Sequence, residues 1–385
     1  MSSKSIRKVT TWTRRDADGH REETGTRWEA RYRGPDGREL KRRFTRKPDA
    51  QRFLDEVTAA IVTGQYVDPN AGKVTFREYA EQWRSIQVHR PSSAAHYETM
   101  LRRHVYPSLG DVPLSAISPS HIQAWVKRIS GTLKPSTVQV VHGIVASCMK
   151  SAVRDRRIAS NPCDGTQLPK VEPRQVVVPT DEQVATLHAS ISPEYAALVH
   201  LCAATGLRQG EAFGLTVDRV DFLRGVVKVD RQAVVLARQP ITFGPPKRDA
   251  SYRDIPIPRD VVEALSAHIA AHGLGEHGLI FHAEDGGFVR RSTFSAKVWK
   301  PARAKAGLAD RVGLHALRHY YASRLIRYGE SVKTVQKRLG HASAQETLDT
   351  YGHLWPDADE RTRDAVAGMF STESAANEWQ TGSTE

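Results

Sequence analysis

The residues able to do chemistry gather late in the chain, in the stretch LHALRHYYASRLIRYGESVKTVQKRLGHASAQETLDTYGHL, residues 314–354. His315 and Arg318 come first, His341 follows, and Tyr351 closes the series. Upstream, Arg208 in ATGLRQGE offers a second guanidinium and Lys247 in GPPKR an ammonium. Together these groups suit a phosphate diester. A guanidinium grips phosphate oxygens in a planar fork, an imidazole moves a proton, and a phenol can attack phosphorus. With arginines as the electrophile, neither a metal nor another cofactor is expected. The pairs His315/His319 and His268/His272 are spaced i, i+4 but lack the Glu of HExxH. No GxxxxGK[ST] phosphate loop occurs either. Taken singly, each candidate has an ordinary reading: most arginines are solvated and most tyrosines pack half-buried. The case rests on order and spacing.

Helical periodicity is expected to position these groups. Leu317, Tyr321 and Leu325 recur at i, i+4 and i+8, which puts His315 and Arg318 in the first turn of one amphipathic helix. Gly329 reads as its stop and Ser331 as the next cap. Val332, Val335 and Leu339 stripe a second helix, which Gly340 ends beside His341. Ser343 and Glu346 spell a capping box for a short third helix with Tyr351 at its far end. Arg208 precedes another helix, and Glu211 is expected to support the fold around it. Val226–Asp230, Ala233–Ala237 and Arg253–Pro258 read as strands, with Lys247 in a turn between two of them. Val261–Ile269 reads as helix, followed by Gly-rich loops and Leu279-Ile280-Phe281.

At 385 residues, with 39% apolar residues, the chain is long enough for two or three cored domains. A formal charge of +13 points to a polyanionic partner, most simply nucleic acid. The three scattered cysteines support no disulfide framework, and no leader or 18-residue apolar run is seen. A soluble cytoplasmic protein is therefore expected. Residues 1–68 read as a β-sheet-plus-helix module. Trp28, Ala30 and Tyr32 alternate with Arg27, Glu29, Arg31 and Arg33 before the turn Gly34-Pro35-Asp36-Gly37. With Lys41, Arg42 and Arg43 on the returning strand, Arg27, Arg31 and Arg33 form either a solvated basic face or one that lies on DNA. Residues 74–168 read as all-helical, 169–179 as a linker and 180–370 as a mainly helical domain with a small antiparallel sheet. A terminal helix carries Val366, Met369 and Phe370, and 371–385 is a polar tail.

ATGLRQGE, LHALRH, LGH and YGHL, in this order, resemble the tyrosine recombinase (phage integrase) family. That family's motifs run Arg, Lys, His-x-x-Arg, His or Trp, Tyr, and here they fall on Arg208, Lys247, His315, Arg318, His341 and Tyr351. Ala316 departs from the Asp that many members carry, and Lys228 and Arg248 compete with Lys247. The resemblance implies attack by Tyr351 and a 3′-phosphotyrosyl link, with no nucleotide hydrolysed. Arg208, Arg318 and His341 would hold the phosphate, His315 would act as general base and Lys247 as general acid. The resemblance also implies that the N-terminal module binds arm-type DNA sites while the other domains clamp a core site. Double-stranded DNA, a homotetramer on paired sites, an excision factor and a DNA-bending host protein are its implied partners, in a bacterial host. The expected activity is integration of a mobile genetic element. The alternatives are a chromosome-resolution recombinase, a type IB topoisomerase-like enzyme and a DNA-binding relative without catalysis.

Overall fold

The computed structural model describes residues 4–15, 21–35, 37–63, 66–68, 70–172, 176–235, 239–246, 248–355 and 363. Lys247 lies outside these residues, as do the polar tail and, apart from Arg363, the expected terminal helix. The chain divides into two compact units, Met1–Glu172 and Pro173–Glu385.

The first unit opens with a three-stranded antiparallel sheet, β1 (Ser5–Arg15), β2 (Arg21–Arg33) and β3 (Glu39–Phe44), followed by helix α1 (Lys47–Val62). Alternation along β2 buries Ala30 and Tyr32 against Ala50 and Leu54 of α1. Arg42 lies directly opposite Ala30 and so shares this core face. Its guanidinium sits 5.4 and 5.1 Å from the Phe44 and Phe53 ring centroids. The other candidate bases, Arg27, Arg31, Arg33, Lys41 and Arg43, occupy the opposite face. That face is not uniformly solvated. Glu29 is 1% exposed, held by Arg31 Nε at 2.9 Å and Arg43 Nε at 3.0 Å. Two of the five bases thus already hold a carboxylate.

Helices α2 (Phe76–Ser85), α3 (Pro91–Met100), α4 (Tyr106–Leu109), α5 (Pro119–Ser130) and α6 (Pro135–Arg154) complete the unit. Thr75 and Glu78 form the capping box of α2, and prolines occupy the first turns of α3 to α6 or stand within them only in that position. Phe76, Trp83, Ile122, Trp125 and Met149 lie in its core. The turn between α3 and α4 is widened, with the Tyr106 N–H reaching back to the Leu101 carbonyl. Pro107 explains it: a ring without an N–H cannot sit in a regular turn without a clash.

The second unit begins with α7 (Asp181–Ser190), α8 (Ala196–Thr205) and α9 (Gln209–Phe213). Strands β4 (Val220–Asp221), β5 (Val226–Val229), β6 (Gln232–Val234), β7 (Thr242–Gly244) and β8 (Arg253–Pro256) follow. They form two small antiparallel sheets, β4-β5-β8 and β6-β7. Then come α10 (Arg259–His272), α11 (Arg291–Thr293), α12 (Lys300–Lys305), α13 (His315–Arg327), α14 (Val332–Leu339) and α15 (Ala344–Tyr351). Helix α8 is apolar nearly all round and runs through the core, with Leu198, Val199, Leu201 and Cys202 buried. Leu317 of α13 belongs to the same core. The α11–α12 run is absent from the sequence expectation, and its widened turn again precedes a proline, Pro301. Among the described residues, no helix is long and apolar enough to cross a membrane.

Candidate active site

Two glycines shape the site. Gly206 ends α8 at φ +63° and Gly340 ends α14 at φ +65°, left-handed conformations that suit glycine. A side chain at Gly206 would meet the Tyr321 ring at 2.6 Å, and one at Gly340 the Ala250 carbonyl at 3.0 Å. These tight exits bring Arg208 and His341 to the same place as the first turn of α13. The arginines then lock the exits together. Arg318 gives Nη1 to the Gly206 carbonyl at 2.8 Å and Nη2 to the Leu339 carbonyl at 2.5 Å. Arg208 gives Nη2 to the Gly340 carbonyl at 3.1 Å. Arg253 gives Nε to the Arg338 carbonyl at 2.8 Å. Three consecutive carbonyls at the end of α14 thus each receive a different guanidinium. A helix C-terminus leaves such carbonyls without partners and carries partial negative charge, so it gathers cations before any phosphate arrives.

Glu211 binds two of these arginines. Its carboxylate takes Arg208 Nη1 at 3.0 Å and Arg253 Nη2 at 2.8 Å, and it also caps the Arg208 backbone N–H at 2.9 Å. Arg208 keeps a quarter of its side chain exposed, whereas Arg318 is 2% exposed. On the far side, α15 carries two functional groups one turn apart. Thr347 Oγ1 lies 2.8 Å from His341 Nδ1, which leaves Nε2 as that ring's free edge. Tyr351 is 1% exposed, stacked near His341 with centroids 6.4 Å apart, and its phenol lies 2.8 Å from His319 Nδ1. His315, the expected general base, meets His319 edge-on at a centroid distance of 4.8 Å. Arg208, His315, Arg318, His341 and Tyr351 therefore converge. Of the Lys247 competitors, Lys228 is exposed on β5 opposite Asp254, and Arg248 pairs with Glu346 at 3.0 Å. That pairing alters the expected capping box: Ser343 caps Glu346, but the Glu346 carboxylate turns to Arg248 and the Ala342 N–H.

Residues 179–357 match the profile of the phage integrase family, and residues 75–167 match that of the phage integrase central domain. The chain belongs to the phage integrase family of tyrosine site-specific recombinases. A prophage phiRv2 integrase of Mycobacterium tuberculosis is 29% identical over 340 residues, spanning 84% of this chain and 88% of that protein. The Tn1549 transposon integrase, solved with transposon right-end DNA, aligns with a TM-score of 0.66 at 20% identity. That alignment covers 78% of this chain and 100% of the solved one. A lambda integrase tetramer bound to a Holliday junction aligns at 0.54 and 19% identity, over 82% and 94% of the two chains.

The electrostatics of this recombinase site follow from burial beside fixed positive charge. Burial, then Arg318, lowers the pKa of both His319 and His341 to about 4, so both rings are neutral at pH 7. His315 is exposed at the rim, yet desolvation by its close neighbours, then His319 and the arginines, lowers its pKa too. Burial raises the Tyr351 phenol to about 12 against the pull of Arg318, so it is protonated at neutral pH. Burial and its fellow guanidiniums lower Arg318, but an arginine stays charged at neutral pH. Among the described residues, no group of three His, Cys, Asp or Glu side chains comes together as metal ligands do.

Thr347→Val keeps the shape of the side chain but frees the His341 ring. One hydrogen bond of about 1 kcal/mol is lost, so strand cleavage should slow roughly fivefold to tenfold, with DNA affinity unchanged in a mobility-shift assay. Acid should also loosen the second unit. A histidine with a folded pKa below its unfolded value opposes folding once the unfolded chain takes up its proton. Stability should therefore fall as pH drops from about 6.5 to 4 and level off below. For the buried His341 the loss by pH 5 is on the order of 1–2 kcal/mol, checked by urea unfolding at pH 7.5 and 5.

Three parts of the site lie outside the residues singled out in the sequence: Thr347, Arg253 and the contact between His319 and Tyr351. The last two had weak signals: His319 stands i+4 from His315, and Arg253 lies in a predicted strand.

Proposed function

We propose that this recombinase cuts DNA with Tyr351 and joins the new partner through a 3′-phosphotyrosyl intermediate, integrating a mobile element. The observation that carries the reading is the convergence of Arg208, Arg318 and His341 beside a buried phenol. In this reading the scissile phosphate takes its place among the guanidiniums that the α14 carbonyls gather. Its non-bridging oxygens accept from Arg208 and Arg318, and from His341 Nε2–H. Charge stabilisation of this kind is worth about 10²–10³ in rate per donor. His315 stands at the rim on the phosphate side, and Lys247 protonates the departing 5′-oxygen. Resealing by a second 5′-hydroxyl reverses each step, so the energy of the broken bond stays in the phosphotyrosyl ester.

Around this centre, residues 180–370 form the catalytic domain, 169–179 a linker and 74–168 the domain that closes over the core site. Residues 1–68 bind arm-type DNA through the face bearing Arg27, Arg31, Arg33, Lys41 and Arg43. Arg42, across the sheet, supports the module's core. Four protomers act on two duplexes, helped by an excision factor and a DNA-bending host protein. The test is covalent capture. The DNA flanking the gene is first searched for a repeated core, which is built into a nicked duplex so that cleavage releases a short fragment and cannot reverse. The chain should migrate as a DNA adduct under denaturing conditions, and peptide mapping should return the nucleotide on Tyr351. An adduct on another residue, or none, would sink the reading.

A further inference from the structure

We propose that His319 is the base that takes the proton from the Tyr351 phenol. The inference rests on Tyr351 being the nucleophile, and it assigns a residue outside the motif set that defines the site. A general base must lie within hydrogen-bond reach of the proton it removes, and reach is judged before basicity. Nδ1 of His319 lies 2.8 Å from the phenol oxygen, within hydrogen-bond reach. In the tautomer we assign, with the ring proton on Nε2, the phenol O–H donates to Nδ1. The rings lie 5.7 Å apart at 61°, an arrangement in which the imidazole edge faces the hydroxyl. His315 is displaced from this role by its neighbour, whose ring it meets edge-on. Both histidines project from the same face of α13, one turn apart, so one can serve the phenol while the other stays at the rim.

The surroundings fit the role. Tyr351 is fully buried among Tyr321, Ala322, Ile326, Val335 and Leu339, so water is kept from acting as the acceptor. Among the described residues, the titratable and charged groups facing His319 are His315 and Arg318 on its own helix and Tyr351 on α15. Burial and Arg318 keep the ring neutral, hence able to accept. A bound phosphate diester brings a negative charge to Arg318, which offsets the repulsion that weakens His319 as a base. The step balances. The phenol proton moves to Nδ1, and a phenol oxygen lone pair forms the bond to phosphorus. The bond from phosphorus to the 5′-oxygen breaks, and that oxygen leaves with its electron pair and takes a proton from the acid of the site. On resealing, the imidazolium returns the proton to the departing phenolate.

The experiment compares wild type, His319→Asn, His319→Phe and His315→Asn as full-length chains. Single-turnover adduct formation on the nicked core duplex is followed from pH 6.5 to 9.5, beside mobility shifts and thermal midpoints. Asn places an amide oxygen where Nδ1 stood, so it holds the phenol but cannot take its proton. His319→Asn should slow adduct formation about 10²-fold at pH 7 with DNA binding kept. Its rate should then climb with pH as the phenol ionises unaided, whereas His315→Asn should show no such climb. His319→Asn at the wild-type rate, or slowed equally at every pH, would overturn the proposal. Should His319→Phe alone be slow, His319 would be a packing residue, and the proposal would again fail. No adduct from the wild-type chain would sink the reading of Tyr351 and this inference together.

Discussion

Tyr351→Phe is expected to bind the core duplex as wild type does and to form no covalent adduct at all. The oxygen it removes is the atom that would join phosphorus, and among the described residues no neighbouring phenol stands in the same place. Tyr321 is buried in the hydrophobic cluster behind the site, and Tyr328 is exposed beyond the end of α13. The fold should survive. The ring remains packed on Val335 and Leu339, and the loss is one hydrogen bond to His319, worth about 1 kcal/mol. Binding should survive as well, because Arg208 and Arg318 keep their anchors on the Gly340, Gly206 and Leu339 carbonyls. The contrast to measure is Arg318→Ala. It should weaken both cleavage, by about 10²–10³, and stability, since two buried carbonyls then lose their donor. A denaturing gel for adduct, a mobility shift for binding and a thermal melt separate the two variants. An adduct formed by Tyr351→Phe would place the nucleophile elsewhere.

The parts of this site that can be read from sequence are those written in local spacing. The stripe of α13, the glycine exits at Gly206 and Gly340, and the Ser331 cap are each set within a turn or two of chain. They depend on φ, helix period and unsatisfied N–H groups, which the local sequence controls. What could not be read is pairing across distance. Glu211 and Arg253 are 42 residues apart and mark their meeting with no periodicity. Strand β7 is three residues between proline-bearing turns, too short to show alternation, yet it pairs with β6. The α11–α12 run is hidden for a related reason, because its widened turn shifts the apolar residues out of the 3.6-residue period. His319 is the instructive case. Its i+4 relation to His315 is visible, but whether either ring faces Tyr351 depends on how α15 returns across α13. Glu29 teaches the same point for the first unit: strand alternation gives its face, while its pairing with both Arg31 and Arg43 depends on how β3 returns beside β2.

Glu211→Ala is expected to have the largest effect on stability of any single change near the site, and to disable cleavage even in molecules that stay folded. Ion pairs on a protein surface contribute little, because water screens them and the side chains lose freedom. This one is different in kind: Glu211 and Arg253 each expose 2% of the side chain. Removing the carboxylate leaves the Arg253 charge buried with two carbonyls, of Arg338 and Ser251, and no counter-charge. Such an uncompensated charge costs about 3–5 kcal/mol, against a total of roughly 5–15 kcal/mol for a folded domain. Glu211→Gln retains hydrogen-bonding capacity and should lose less stability, though it too lacks the charge. Burial alone would raise the Glu211 pKa, but Arg253 and Arg208 outweigh it and hold it below the usual carboxylate value. Its contribution is therefore present above about pH 4.5 and lost as pH falls through the lowered pKa, which Glu211→Gln should abolish. The functional cost follows from the same contacts. Without the carboxylate, Arg208 keeps its bonds to the Gly340 carbonyl and Ser251 but loses the partner that fixes both its backbone N–H and its guanidinium. A guanidinium held by a neutral amide rather than a carboxylate is less firmly pre-organised for phosphate, so cleavage by Glu211→Gln should fall by about 10-fold or more while its fold persists. Urea midpoints of the two variants and their adduct rates decide the matter. Equal stability of wild type and Glu211→Ala would mean that Arg253 finds another partner and that the buried pair does not hold the site together.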